Sequence, residues 1–197
     1  MRRWRLAAAI GCSTTVLLLP GCATNAGHVP LCSRPADDLL VLEAQSVPSA
    51  TRLPCVTTLP YGWTFGGSLV QSGRARFWLD SDRANPGTHA VEVDLTRTCD
   101  ISRAVEVEPT LTEVGVRVYE EPTSLSPHLA GSRSMVFRGG CITYRYDFSA
   151  GAPSTLLLEA IGALGTLPRR VMVRVVDQYT GLTLCGANAP PCVGSRP

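Results

Sequence analysis

The chain has 197 residues, with 18 basic and 16 acidic side chains and a formal charge of +2; every basic residue but the histidines is arginine. That near balance lacks the electrostatic footprint of a nucleic-acid-binding protein, and the absence of lysine excludes Schiff-base and other lysine chemistry. The length suits one ordinary domain rather than two.

Arg2, Arg3 and Arg5 precede an apolar stretch over 6–19 that is interrupted only at 11–15. It has the length of a secretory core and falls short of the roughly 20 residues a spanning helix needs. A small residue, Gly21, then stands directly before Cys22. Leu19-Pro20-Gly21-Cys22 resembles the lipobox of a bacterial lipoprotein signal, with Leu19 three before the cysteine, Gly21 just before it, and Pro20 departing from the usual middle of the box. The resemblance covers residues 1–22 alone. It implies diacylglyceryl transfer to the Cys22 sulfur, cleavage after Gly21, and a protein held on the outer face of the cell membrane. Two acyl chains, at about 0.8 kcal/mol per buried CH2, anchor stably where one does not. Loss of the three signal arginines takes the formal charge from +2 to about −1. The resulting organisation is a signal over 1–21, a lipidated spacer over 22–32, one domain over 33–192 and a tail over 193–197.

Cys12 leaves with the signal and Cys22 takes lipid, so Cys32, Cys55, Cys99, Cys141, Cys185 and Cys192 remain. Outside the cytoplasm such cysteines read as a disulfide framework. Chain order favours Cys32 with Cys55, Cys99 with Cys141 across the sheet, and Cys185 with Cys192 closing the tail. No C-x-x-C pair occurs, and His28, His89 and His128 lack ligand spacing, so no metal or other cofactor is expected.

After the spacer, Ser33 is a candidate N-cap, with Pro35 in the first turn, Asp37 and Asp38 at the positive helix end, and an apolar run over 39–42 that must stop before Pro48. Pro48, Pro54 and Pro60 punctuate what reads as an irregular segment around Cys55. Strands follow at 63–70 and 74–79, joined through Gln71, Ser72 and Gly73 in a hairpin. Arg74, Arg76 and Trp78 alternate with Ala75, Phe77 and Leu79, and Glu92 and Asp94 alternate with Val91, Val93 and Leu95; each set predicts one packed and one solvated face. Further strands are predicted at 104–107, 114–119, 134–137 and 141–148, the last behind a Gly139-Gly140 turn. A helix over 154–164, capped by Ser154 and apolar nearly all round but for Glu159, precedes a second one over 169–179; its Val171 to Val176 content also suits a strand. The fold class is therefore α+β: a mostly antiparallel sheet of six or seven strands, covered by C-terminal helices and stapled by disulfides.

Chemistry-bearing constellations are few. Asp80-Ser81-Asp82 with Asn85 and Gly87 opens like a calcium loop but lacks its later ligands and its glycine. Cys141, with His128 upstream, is the one thiol and base that can be brought together, and a disulfide accounts for it better. No G-x-S-x-G elbow, P-loop or dinucleotide fingerprint occurs. Glu106 with Glu108, and Glu120 with Glu121, are carboxylate pairs of a kind that also marks solvated strand faces. What remains is a binding surface in which Arg74, Arg76 and Trp78 present guanidinium forks and a ring to an anionic or carbohydrate ligand. The expected function is a membrane-tethered, non-enzymatic binding or accessory protein of the cell envelope, with an envelope protein or glycan as partner. The competing expectation is an extracytoplasmic hydrolase whose site is assembled from distant residues.

Overall fold

A computed structural model of the chain describes residues 28–84, 89–110, 113–125, 127–153 and 155–186. The signal with Cys22, the Asn85 and Gly87 turn, the Ser154 cap and Cys192 lie outside them. The elements run α1 (Asp38–Ser46), β1 (Arg52–Val56), β2 (Trp63–Gln71), β3 (Arg74–Ser81), β4 (Val91–Thr96), β5 (Val105–Val107), β6 (Arg117–Ser124), β7 (Leu129–Phe137), β8 (Gly140–Phe148), α2 (Thr155–Ala163), β9 (Leu164–Pro168) and α3 (Arg169–Thr180). Seven strands form one antiparallel sheet in the order β2-β3-β4-β8-β7-β6-β5, and β1 pairs with β9 in a separate antiparallel ribbon. This is the α+β class that the alternating strand patterns predict.

The period of two decides which face is covered. Ala75, Phe77 and Leu79 of β3, Val91, Val93 and Leu95 of β4, and Ile142, Tyr144 and Phe148 of β8 are buried together. They meet Leu40, Ala44 and Val47 of α1, Leu53 and Val56 of β1, Leu156 and Ala160 of α2, and Met172 and Val176 of α3. Each large side chain so buried contributes about 1.5–3 kcal/mol. The intervening residues of the same strands line the opposite, outer face, and this face carries the candidate site.

Several boundaries differ from expectation. The cap of α1 is Asp37, whose carboxylate accepts from the Leu39 N–H at 3.0 Å, rather than Ser33. Residues 31–37 instead form successive turns, with Arg34 N–H donating to the Leu31 carbonyl and Asp37 N–H to that of Arg34. The segment read as irregular around Cys55 is β1; Pro54 is tolerated because the ribbon has only two strands and an edge needs no donor. A strand, β9, separates the two C-terminal helices, and 171–176 is helical despite its valines, since Met172 and Val176 lie four apart on the buried side of α3. β6 begins at Arg117 rather than at 114, after Gly115 with φ +74°.

Two expected disulfides are present: Cys32–Cys55, with Cα atoms 5.0 Å apart, and Cys99–Cys141, at 5.8 Å. Cys185 is also oxidised; Cys192, its expected partner, is outside the described residues. The first staple reinforces a parallel bridge between Leu31 and Val56. No described helix is long and apolar enough to cross a membrane.

Candidate functional site

The outer face is a grid of polar side chains whose rows follow from strand register. In one row Arg76 lies opposite Asp94, Asp94 opposite Thr143, and Thr143 opposite Ser134. The next row holds Trp78, Glu92, Arg145, Ser132 and Glu121. A groove of about 870 Å³ runs over this surface, with Arg74, Asp94, Arg145, Thr143 and Ser132 among its lining. One end is walled by the segment after β4, where Cys99 is bonded to Cys141 and its Sγ lies 3.1 Å from the Thr143 hydroxyl. Arg103 on that segment reaches Glu121 of β6 at 3.0 Å, tying the wall to the far side of the groove.

Asp94 organises the charges. Its side chain is 3% exposed although it sits on the polar face. Oδ1 accepts from Arg74 Nε at 2.6 Å and from Arg76 Nε at 3.0 Å, and Oδ2 accepts from an Arg145 terminal nitrogen. Glu92 adds a second carboxylate, 3.4 Å from Arg76 and 3.9 Å from Arg145. Burial, and the neighbouring Arg76 and Arg74 cations working against Glu92, hold the Arg145 guanidinium below its ordinary pKa. A carboxylate under three guanidinium groups fixes where each fork points.

Arg74 and Arg76 are thus brought together as the alternation predicts, but through a buried aspartate that reads from sequence as one more solvated residue. Trp78 shares their face and is partly buried. Its ring lies against Gly66 and Gly67, where the backbone shifts register by a bulge, and any Cβ at Gly66 would run into Trp78 and Asp80. His89 covers it from the other side, ring centres 4.6 Å apart, and pairs through Nδ1 with Asp80 at 3.2 Å. Trp78 is therefore a packed edge of the site rather than a free platform. The other strand aromatics lie elsewhere: Trp63 is buried and donates to Glu159 of α2 at 3.0 Å, and Tyr144 and Tyr146 are on the inner face. Arg138 lies in the β7–β8 turn, beside a smaller cavity of about 250 Å³ lined also by Arg52 and Arg170.

The remaining candidates have structural partners. Glu106 accepts from Nε and one terminal nitrogen of Arg117, at 2.9 and 2.8 Å, and Glu120 is bonded by Arg133 on the inner face. Cys141, in a disulfide, is no nucleophile. His128 lies 2.7 Å from Asp147 at the groove's far end. Among the described residues no group of three His, Cys, Asp or Glu side chains could hold a metal ion. Arg145 is legible from sequence as one more arginine on the aromatic-bearing strands, whereas Asp94 and Glu92 read there only as a solvated face. Their alternation was visible, but the pairing of β4 with β8, which sets Arg145 beside Asp94, joins positions 51 residues apart.

No protein-family model matches the chain, and no curated protein is similar to it. A crystal structure from Bacteroides thetaiotaomicron VPI-5482 at 1.50 Å resolution aligns with a TM-score of 0.31 and 10% identity, over 68% of this chain and 63% of that one. The chain spans less than two thirds of that protein's length, and a likeness of this strength bears on neither fold nor function.

Proposed function

We propose that this is a membrane-tethered, extracytoplasmic binding protein of the cell envelope, which receives a polar ligand, or a polar part of an envelope component, on the outer face of its sheet. One observation carries the reading: an open groove whose charged side chains are held in fixed positions by a buried aspartate, Asp94, with Arg74, Arg76 and Arg145 around it. Such prearrangement lowers the ordering cost of binding. The lipobox-like Leu19 to Cys22 stretch supports the tether, and cysteine pairing is in keeping with an oxidising compartment.

The test uses the full chain extracted from membranes in detergent. Intact mass, with alkylation before and after reduction, reads lipid on Cys22 and free thiols together. Hydrogen exchange over 91–96 and 140–148 then reads groove occupancy with soluble neutral oligosaccharides, amino acids and sugar phosphates. A lipid increment and ligand-dependent protection of both strands are expected. A lipid-free mass overturns the tether, and turnover of ester, glycoside or phosphoester substrates makes the protein a hydrolase.

A further inference from the structure

Resting on the reading of the groove as a binding site, we propose that Arg74, Arg76 and Arg145 form a receptor for a single oxyanion group, a carboxylate or a phosphate, carried by a small solute. Three guanidinium cations converge on two carboxylates, Asp94 and Glu92, so the cluster keeps one positive charge in surplus. Burial foremost, and like charge from Arg76 and Arg74 against the opposing Glu92, disfavours the ionised form of Arg145.

Geometry leaves donors for a ligand. Arg74 bonds Asp94 through Nε alone, and its two terminal nitrogens make no further bond among the described residues. Arg145 uses one terminal nitrogen on Asp94, and the other makes no hydrogen bond among the described residues. The side chains of Arg74 and Arg145 are 43% and 44% exposed, and both line the groove. Both hold the same carboxylate, Arg74 on Oδ1 and Arg145 on Oδ2, and both line the groove, so we place the ligand oxygen on the groove side of Asp94, between them. An oxygen placed there accepts charge-assisted hydrogen bonds from both sides. Thr143 and Ser132, also in the lining, offer hydroxyls that suit the rest of a polar solute.

The acidic rim limits the ligand. Asp100, Glu121 and Asp147 line the same groove, so a polyanionic chain lying along it would be repelled, while one oxyanion group can settle on the arginines. Glu121 and Asp147 are occupied by Arg103 and His128, which keeps them from drawing on the central cluster.

The experiment is calorimetric titration of the detergent-solubilised full chain with inorganic phosphate and, separately, acetate, at low ionic strength. At least one anion should bind, and affinity should fall as sodium chloride screens the cluster; which anion binds better tells phosphate-bearing from carboxylate-bearing solutes. Arg74→Gln and Arg145→Gln should each weaken binding by about tenfold, and Asp94→Asn, if its circular dichroism melt stays cooperative, should strengthen it. Arg117→Gln, outside the groove, should leave affinity unchanged. The proposal falls if neither anion binds or if Arg145→Gln binds as the parent does. Should neutral oligosaccharides still protect the groove strands while both anions fail, the binding reading stands and only the oxyanion receptor is lost; if no ligand protects them, both fall.

Discussion

Arg145 donates past its direct cross-strand partner, Glu92, to Asp94, the next residue on the same face of β4. Arg74 does the same from the other side, since its direct partner is Thr96. Asp94 is thus the group through which β3, β4 and β8 are coupled on their polar side. Asp94→Ala should cost about 3 kcal/mol, because it leaves the Arg74 cation without a counter-charge and Arg76 and Arg145 with the more distant Glu92 alone. Arg145→Gln should cost about 1 kcal/mol or less, its partly exposed pair being screened by solvent. Urea denaturation of the two variants checks this, and equal losses would show that Asp94 is not the hub.

The Cys99–Cys141 bond closes a loop with a separation of 42 residues, against 23 for Cys32–Cys55. Chain entropy alone gives about 4 kcal/mol for the first and about 3 for the second. Replacing Cys99 and Cys141 together by serine should therefore lower the urea midpoint more than replacing the other pair. It should also raise hydrogen exchange over 97–104, since those residues wall the groove. Unchanged exchange there would mean that the Arg103–Glu121 pair holds the wall unaided.

Glu43 of α1 is fully buried, and neither carboxylate oxygen has a hydrogen-bond partner. Burial foremost, and the nearby Asp37 charge, raise its pKa well above the usual carboxylate range. Its proton is kept in the folded state and lost from the unfolded one above about pH 4.3. Stability therefore falls as pH rises from that point towards the folded pKa, by about 1.4 kcal/mol per pH unit. Glu43→Gln should match the parent at pH 4 and melt higher at pH 7. Parallel melting curves across that range would contradict the assignment.

Glu113 carries the opposite sign. Burial favours its neutral form, but hydrogen bonds from Arg133, at 2.8 and 2.6 Å, and from the Thr110 N–H, with the Arg133 charge, outweigh burial and hold its pKa below the ordinary value. The stabilisation is present above the unfolded pKa of about 4.3 and is lost as pH falls through the lower folded one. Glu113→Gln should be about 2 kcal/mol less stable at pH 7, because a buried guanidinium loses its two-pronged partner and keeps only the half-exposed Glu120 as counter-charge. The gap should close on acidification below pH ~4, and chemical denaturation at several pH values measures it.

Strand identity and facing were readable wherever apolar and polar residues alternate, as at 74–79 and 91–95, because a period of two is a local property. Pro54 concealed β1, since proline argues against a central strand and nothing local shows that the strand belongs to a two-membered ribbon. β9 was hidden for a related reason: Leu164 and Leu167 extend the apolar run of α2, and only pairing with β1 makes them strand. Half of the site was legible, Arg74 and Arg76 on one face. The other half rests on the register between β4 and β8, and on burial of Asp94 beneath the arginines themselves. Such burial by long side chains follows from three dimensions and leaves no mark in local hydropathy.

The chain enters the described structure beside β1. The Pro30 carbonyl accepts from Val56 N–H, Cys32 N–H donates back to the Val56 carbonyl, and the Cys32–Cys55 bond lies at the same point. That ribbon belongs to the covering layer, whereas the groove opens on the far side of the sheet. Tension between residue 28 and anything gripped in the groove would thus cross the molecule through its thickness. It would meet a covalent rivet first and the hydrophobic core next, and no edge strand would be peeled away. Such a pull would be borne by the layers packed across the sheet.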